Sequence, residues 1–415
     1  MVSALLFARW QVQEIAPIHD HPSTQARSKL MAQRLVYLVT EDWAFWRHRL
    51  PMARAARDAG FDVHLITNVQ RRGDLIVEDG FSVHALDFKR GSTSPTTTLA
   101  TIAAVRERLK QIKPDIIHNV ALKPLVIGTA AAFGLGPIAV VSSINGLGSA
   151  FIAPTWQGKV LRFGLRRTLK QLHDRRNTCI IVQNPEDFAS LKGIGIATHR
   201  LRLIPGSGVD CDLLQPLPEP PPEPVRVAFV GRMLDDKGLR SLIRAHRLGR
   251  ARGSTVELLL AGEPDLQNPT SISKAEFASW TAEPGMFPLG HIEDIREVWK
   301  QAHIAVLTSR GDGLPKSLLE AAACGRPVIG TDVPGCREIV IDGETGIMVD
   351  VDDDVALANA IEELAGDKAK RERMGRAARR LTEVRFSATD IGRQTVAVYR
   401  ELLDRVAANQ RQARS

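Results

Sequence analysis

Short apolar runs and longer helical patterns alternate along the first half of the chain. Strand-like runs fall at Leu35–Val39, Val63–Ile66, Val83–Leu86, Ile116–His118, Ala139–Ser142, Cys179–Val182 and Leu201–Ile204, with helical spacing between them, as at Leu50–Ala59 and Leu99–Ile112. Strands that are apolar on both faces and separated by helices predict βαβ units and a parallel sheet. The pattern breaks at 215–224, where six of ten residues are proline. Such a run joins neither a helix nor a central strand and reads as a stiff extended connector. The alternation then restarts. Strands are expected at Val225–Val230, Val256–Ala261, His303–Leu307 and Pro327–Ile329, and helices at Leu239–Leu248, Ile295–Gln301, near Pro315 and onward to the end. The expected fold class is α/β, with two Rossmann-like domains and a cleft between them. The expected divisions are an irregular extension (1–30), a first domain (31–214), the linker (215–224), a second domain (225–386) and a terminal helix (387–415). That helix, at Thr389–Val406, would pack back on the first domain.

Composition narrows the class. The chain has 415 residues, 44% hydrophobic and 25% charged, which suits an ordinary globular protein with a large core. Its four cysteines (Cys179, Cys211, Cys324, Cys336) form no C-x-x-C pair, which disfavours a zinc site or disulfide framework and fits a reducing compartment. The net charge of +8 is uneven: residues 1–214 carry 27 Lys and Arg against 17 Asp and Glu, and the remainder 28 against 30. A basic half points to an anionic partner. Aromatic residues are only 5% and no nucleic-acid module is recognisable, so a membrane or phospholipid surface is favoured over nucleic acid.

Two segments bear on the membrane. Residues 124–158 carry no charge, but Gly134, Gly136 and Pro137 split the run, so a buried helix (124–133), a buried strand (138–143) and a glycine loop (145–149) are expected rather than a span. The stretch 157–176 holds seven Lys and Arg against one acid, with Leu161, Leu165, Leu169 and Leu172 at helical spacing. It reads as a basic amphipathic helix that lies on a membrane through Arg162, Arg166, Arg167 and Lys170. A core-facing helix with a solvated basic face stays open as the alternative. The N-terminus does not read as a signal peptide, since Arg9 interrupts a short apolar run.

Candidate chemistry concentrates in the second half. Arg232 and Lys237 lie five residues apart at a strand-to-helix turn, where a planar clamp and a point charge can both face a diphosphate. Gly262 ends the next strand and lets the chain pass close to a base or ribose. Gly311-Asp312-Gly313-Leu314-Pro315 opens a helix whose N-terminal amides suit phosphate oxygens. Within that helix Glu320 stands alone among Leu, Ala and Cys, an expensive place for a charge without a partner.

These motifs carry a resemblance. Gly231-Arg232…Lys237-Gly238, Asp312…Glu320-Ala321…Gly325-Arg326-Pro327 and Asp332-Val333-Pro334-Gly335 resemble the nucleotide-sugar domain of the family 4 retaining glycosyltransferases, which have the GT-B fold; the likeness runs from about Leu35 to about Leu403. Glu41-Asp42-Trp43…His48-Arg49-Leu50-Pro51, His118…Lys123-Pro124 and Ile144-Asn145-Gly146-Leu147-Gly148 are similar to bacterial enzymes that add N-acetylhexosamine to undecaprenyl-diphosphate-linked sugars. The resemblance implies donor binding by Arg232, Lys237, Gly262, Gly311, Gly313, Leu314 and Glu320, with Glu320 on the ribose. It implies that Asp312 meets the donor sugar where most members have Glu. It implies catalytic roles for Asp312, Glu320 and His118, and acceptor contacts at His48, Arg49, Lys123, Asn145 and Gly146. For His118 a packed strand-end histidine remains the alternative. The quoted motifs include no Asp-x-Asp pair, so neither metal nor cofactor is expected. The expected partners are a nucleotide-sugar donor, a polyprenyl-diphosphate-linked sugar acceptor and the cytoplasmic membrane surface, with the protein peripheral on the inner face of the plasma membrane. A nucleotide-sugar epimerase or hydrolase of the same fold, or a non-catalytic membrane-docked partner in glycan assembly, are the other readings.

Overall fold

The alternation of strands and helices resolves into two parallel sheets. The structure is a computed structural model and describes residues 32–88, 94–144, 146, 177–266 and 268–414. The first sheet contains β1 (Arg34–Glu41), β2 (Asp62–Asn68), β3 (Ser82–Ala85), β4 (Ile116–Val120), β5 (Ala139–Ile144), β6 (Thr178–Val182) and β7 (Leu201–Leu203), in the order β3-β2-β1-β4-β5-β6-β7. The second contains β8 (Arg226–Val230), β9 (Glu257–Ala261), β10 (Met286–Gly290), β11 (Ile304–Leu307), β12 (Val328–Thr331) and β13 (Gly346–Val349), in the order β10-β9-β8-β11-β12-β13. Each order reverses direction once, between β1 and β4 and between β8 and β11. Ligands in open α/β sheets bind beyond the carboxyl ends of the strands at such points.

Two strands lie beyond the apolar pattern. β10 carries Pro288 and Gly290, and is tolerable only at an edge, where a missing N–H leaves no ladder bond unmade. β13 lies at the opposite edge and begins at Gly346, directly after the turn-like stretch Asp342-Gly343-Glu344-Thr345. The uncharged run holds the helix Leu122–Ala132 and the buried strand β5, and among the described residues no helix is long and apolar enough to cross a membrane.

The proline segment is extended and docked. Its carbonyls face few backbone N–H groups, and arginines supply the donors. Arg326 donates to the carbonyls of Leu217 (3.2 Å), Pro218 (2.7 Å) and Trp299 (3.0 Å), and Arg371 Nε bonds Glu219 at 2.6 Å. The chain then leaves the second domain for the first. Val209 N–H donates to Phe386 O at 2.9 Å and Ala388 N–H to Val209 O at 2.8 Å, where the long helix Ala388–Arg414 begins. Its Ile391, Tyr399 and Leu402 are buried in one cluster with Leu35 and Tyr37 of β1 and Met52 and Ala56 of the helix Leu50–Asp58. The two helices touch at Gly392, where an added Cβ would fall 2.7 Å from the Ala55 methyl. Gly392→Leu is therefore expected to destabilise the protein by about 1–3 kcal/mol through overpacking. Urea denaturation checks this, and a variant as stable as the parent would rule out the close helix contact.

Candidate functional site

The loops after β8 and β11 flank the switch point of the second sheet and are tied together. Thr308 Oγ1 donates to Gly238 O at 2.8 Å, and Arg310 N–H to Asp236 O at 2.9 Å. Lys237 sits in the single turn Asp235–Lys237, and its Nζ donates to both oxygens of Asp312, at 2.6 and 2.7 Å. Arg232 Nη1 donates to Asp265 Oδ2 at 2.8 Å. Glu320 lies on the helix Lys316–Ala323 and is 6% exposed. Its Oε2 has no hydrogen-bond partner; Arg47 Nη2 lies 3.8 Å from that oxygen, and Lys316 Nζ lies 3.9 Å from the other, Oε1. A buried carboxylate oxygen without a donor is costly, and it is an acceptor available to hydroxyl groups.

The first domain supplies the facing wall from its own strand ends. The helix Asp42–His48 follows β1 directly. Asp42 fixes its start, with Oδ2 accepting from the N–H groups of Gln70 (2.9 Å), Arg71 (2.9 Å) and Arg72 (2.7 Å). Burial raises the Asp42 pKa, but the four backbone N–H bonds to its carboxylate outweigh that and hold it below the usual value. The helix ends in Arg47, whose carbonyl accepts from Lys316 Nζ at 2.5 Å and whose guanidinium reaches toward Glu320. His48 is half-buried, and burial together with the charges of Lys316, Arg47, Arg49 and Lys237 holds its pKa well below the usual value. It is therefore a neutral imidazole inside a cluster of cations.

The glycine turn of the second domain is held from the first. Asn184 Nδ2 donates to Gly313 O at 3.1 Å. Gly146, at φ +133°, brings bare backbone against the same turn, and a Cβ there would lie 3.2 Å from Gly313 N. Leu314 fills the space a side chain at Gly206 would need. Outside the turn, Arg72 bonds Glu293 at 2.9 Å and Arg337 bonds Glu186 at 2.9 Å across the cleft.

The nominated residues thus divide. Arg232, Lys237, Gly311, Asp312, Gly313, Leu314, Glu320, His48 and Gly146 gather at the facing strand ends. Gly262 lies near them, but its φ of +136° serves packing, since a Cβ would fall 1.9 Å from Gly231 O; the close neighbour is the preceding strand's turn. Lys123 is half-buried at the start of its helix, with a pKa lowered by burial. Arg49 is 3% exposed, and burial lowers its pKa, so it lies in the interior instead of facing an acceptor.

His118 corrects the expectation that it faces the cleft. It is 1% exposed in mid-strand, stacked on Tyr37 at 5.0 Å. Its Nδ1 bonds the Tyr399 hydroxyl and its Nε2 the Ser143 hydroxyl, each at 2.6 Å, and Tyr399 bonds Tyr37 at 2.7 Å. This is the packed-histidine alternative. Asn145, the basic stretch with Arg162, Arg166, Arg167 and Lys170, and residues 1–30 lie outside the described residues.

Three site residues escaped sequence reasoning. Arg47 adjoined the nominated pair His48 and Arg49. Lys316 stood four residues before Glu320, a spacing that places both on one helix face. Asp265, the partner of Arg232, had no local signal. Together the cleft offers cations from both domains beside an unpartnered acceptor, a set suited to a ligand that joins phosphate to vicinal hydroxyls.

Comparison with known proteins agrees with this chemistry. The family described as "Glycosyl transferases group 1" matches residues 224–367, and "Glycosyl transferase 4-like" matches residues 34–184. The putative glycosyltransferase EpsD of Bacillus subtilis is 25% identical over 390 residues, covering 90% of this chain and 98% of EpsD. The Campylobacter jejuni N,N'-diacetylbacillosaminyl-diphospho-undecaprenol alpha-1,3-N-acetylgalactosaminyltransferase is 24% identical, covering 76% of this chain and 84% of its own. With the capsular polysaccharide biosynthesis glycosyltransferase CapM of Staphylococcus aureus, identity is 30% over 177 residues, and the chain spans just under half of CapM's length, 46%. Among solved structures, Anabaena HepE in complex with UDP and glucose superposes with a TM-score of 0.73 at 18% identity, covering 88% of this chain and 99% of HepE.

The buried histidine makes the fold sensitive to acid. Burial, with Arg49 nearby, holds the His118 pKa well below the usual value. Above about pH 6.5 neither the folded nor the unfolded chain protonates it; below that the unfolded chain takes a proton that the folded one refuses. Stability must therefore fall as pH drops from about 6.5 toward the depressed folded value. His118→Asn is expected to lower that slope by up to about 1.4 kcal/mol per pH unit. Urea denaturation of both proteins between pH 7 and pH 4.5 reads the difference, and parallel curves would contradict it.

Proposed function

For this chain, which belongs to the GT-B glycosyltransferases of the retaining family 4 type, we propose transfer of a sugar from a UDP-sugar donor onto a polyprenyl-diphosphate-linked glycan acceptor at the cytoplasmic membrane surface. N-acetylhexosamine is the sugar proposed. The observation that carries the donor half is Glu320, whose buried Oε2 has no hydrogen-bond partner and lies 3.8 Å from Arg47, with Lys316 3.9 Å from Oε1. A ribose diol would satisfy that oxygen, and the neighbouring cations would meet the diphosphate.

The chemistry follows from where charge moves. Glycosyl transfer passes through an oxocarbenium-like state while the leaving nucleoside diphosphate gains negative charge. Arg232 and Lys237 stabilise that charge, and the N-terminus of the helix Lys316–Ala323 adds its partial positive charge. Asp312 contacts the donor sugar. The acceptor approaches from the first domain, where His48, Lys123 and Gly146 line its side. The acceptor class is supported by the activity for which the Campylobacter relative is named and by the basic bias of the first half of the chain.

Purified protein incubated with UDP-sugars and a polyprenyl-diphosphate-sugar is expected to release UDP only when both are present. Glu320→Ala should lower that turnover at least about a hundredfold, the scale on which loss of one positioning contact acts. Release without acceptor would favour a hydrolase or epimerase, and no release with any donor would refute the transferase reading. For the membrane, the double change Arg166→Glu with Arg167→Glu should shift the protein from anionic vesicles into the supernatant on sedimentation. Unchanged partition would mean that this segment does not dock.

A further inference from the structure

The Lys237–Asp312 pair raises a conflict that the proposed function, on which this inference rests, does not resolve. Lys237 is expected to hold a diphosphate, yet two of its three N–H groups are directed at the oxygens of Asp312, at 2.6 and 2.7 Å. The pair is largely shielded, with side chains 23% and 17% exposed, so solvent screens it less than a surface ion pair. Arg232 is 41% exposed where it meets Asp265, a looser arrangement. A diphosphate placed on Lys237 with Asp312 still bound would set like charges against each other around one ammonium.

The backbone leaves Asp312 a specific way out. Its carbonyl accepts from Gly335 N–H at 3.0 Å, and the next carbonyl, of Gly313, is held by Asn184 at 3.1 Å. The main chain is thus pinned on both sides of the cleft, and the carboxylate moves by side-chain rotation. Asp312 has two side-chain torsions, and both of its oxygens are engaged by one cation, so a single rotation exchanges all of its contacts.

We propose that Asp312 and the donor's diphosphate are alternative partners of Lys237, so that Asp312 turns to the donor sugar only when a nucleoside diphosphate has displaced it. Sugar recognition is thereby coupled to diphosphate recognition. A free sugar meets a carboxylate that is already occupied, whereas a nucleoside diphosphate sugar releases it. Asp312 in this role is a positioning residue for Lys237 before it contacts the sugar.

Calorimetric titration of the full chain with UDP tests the competition. In Asp312→Asn the competing charge is gone while the shape remains, so UDP should bind about three- to tenfold tighter than to the parent, the size of a partly shielded ion pair. Turnover with UDP-sugar should nonetheless fall. Asp312→Glu retains the charge and should keep UDP affinity within about twofold of the parent. In the double variant with Lys237→Met the gain should vanish, as a coupled pair requires. Equal or weaker UDP binding by a folded Asp312→Asn, judged by an unchanged thermal midpoint, would overturn the competition while leaving the transferase reading intact. If the parent binds none of UDP, GDP or ADP, the proposed function itself fails, and this inference with it.

Discussion

One buried carboxylate organises the cleft. Glu320 is nearly inaccessible on an apolar helix, and one of its oxygens has no hydrogen-bond donor. Leaving such an oxygen unmet in a low-dielectric site costs on the order of 1–3 kcal/mol or more. The fold tolerates it because cations approach from two directions, Lys316 from its own helix and Arg47 from the other domain, both just under 4 Å away. That distance is long enough to leave the oxygen available and short enough to offset the charge. A tighter pair would close the site. Glu320 thus links the register of one helix to the position of the facing domain.

Holding that position falls to elements remote from the cleft. The helix Ala388–Arg414 leaves the second domain and buries Ile391, Tyr399 and Leu402 against β1 and its following helix. The same β1 leads directly into the helix that ends in Arg47 and His48. His118 belongs to this construction. Its two hydrogen bonds join β4, β5 and the last helix through Ser143 and Tyr399, and Tyr37 of β1 completes the chain. A buried neutral imidazole with both nitrogens satisfied sets the depth and rotation of the helix, because a shift would leave several polar groups unpaired at once.

How far the sequence could be read follows from what each residue answers to. All seven strands of the first sheet were visible as short apolar runs separated by helical patterns. The edge strands β10 and β13 were not, since a proline interrupts one and the other opens on Gly346 straight after a turn-like stretch. Arg232, Lys237, Asp312 and Glu320 were legible as candidates because glycines, cations and an isolated acid follow two apolar strands. His118 misled because its burial depends on Tyr399, 281 residues away, which no local pattern connects to it. Arg47 was missed for a related reason. Its function depends on reaching across to another domain, while its neighbours His48 and Arg49 looked equally suitable on the same short helix.

The loop at Asp312 shows why a one-methylene change in a carboxylate need not be a small one. Its backbone is fixed by Gly335 within its own domain, and the adjoining Gly313 by Asn184 and the bare backbone of Gly146 from the other. With the main chain clamped, reach is set by side-chain length alone. A glutamate has an extra torsion and about one more C–C bond, enough to leave an ammonium and approach a sugar by small steps. An aspartate lacks that latitude and must exchange one partner for the other. The two domains that hold the turn therefore also make the identity of this acid decisive, since any slack in the backbone would let either residue do the same work. Domain contact and the reach of this carboxylate are in this sense one constraint, set at the point where Gly146 meets Gly313.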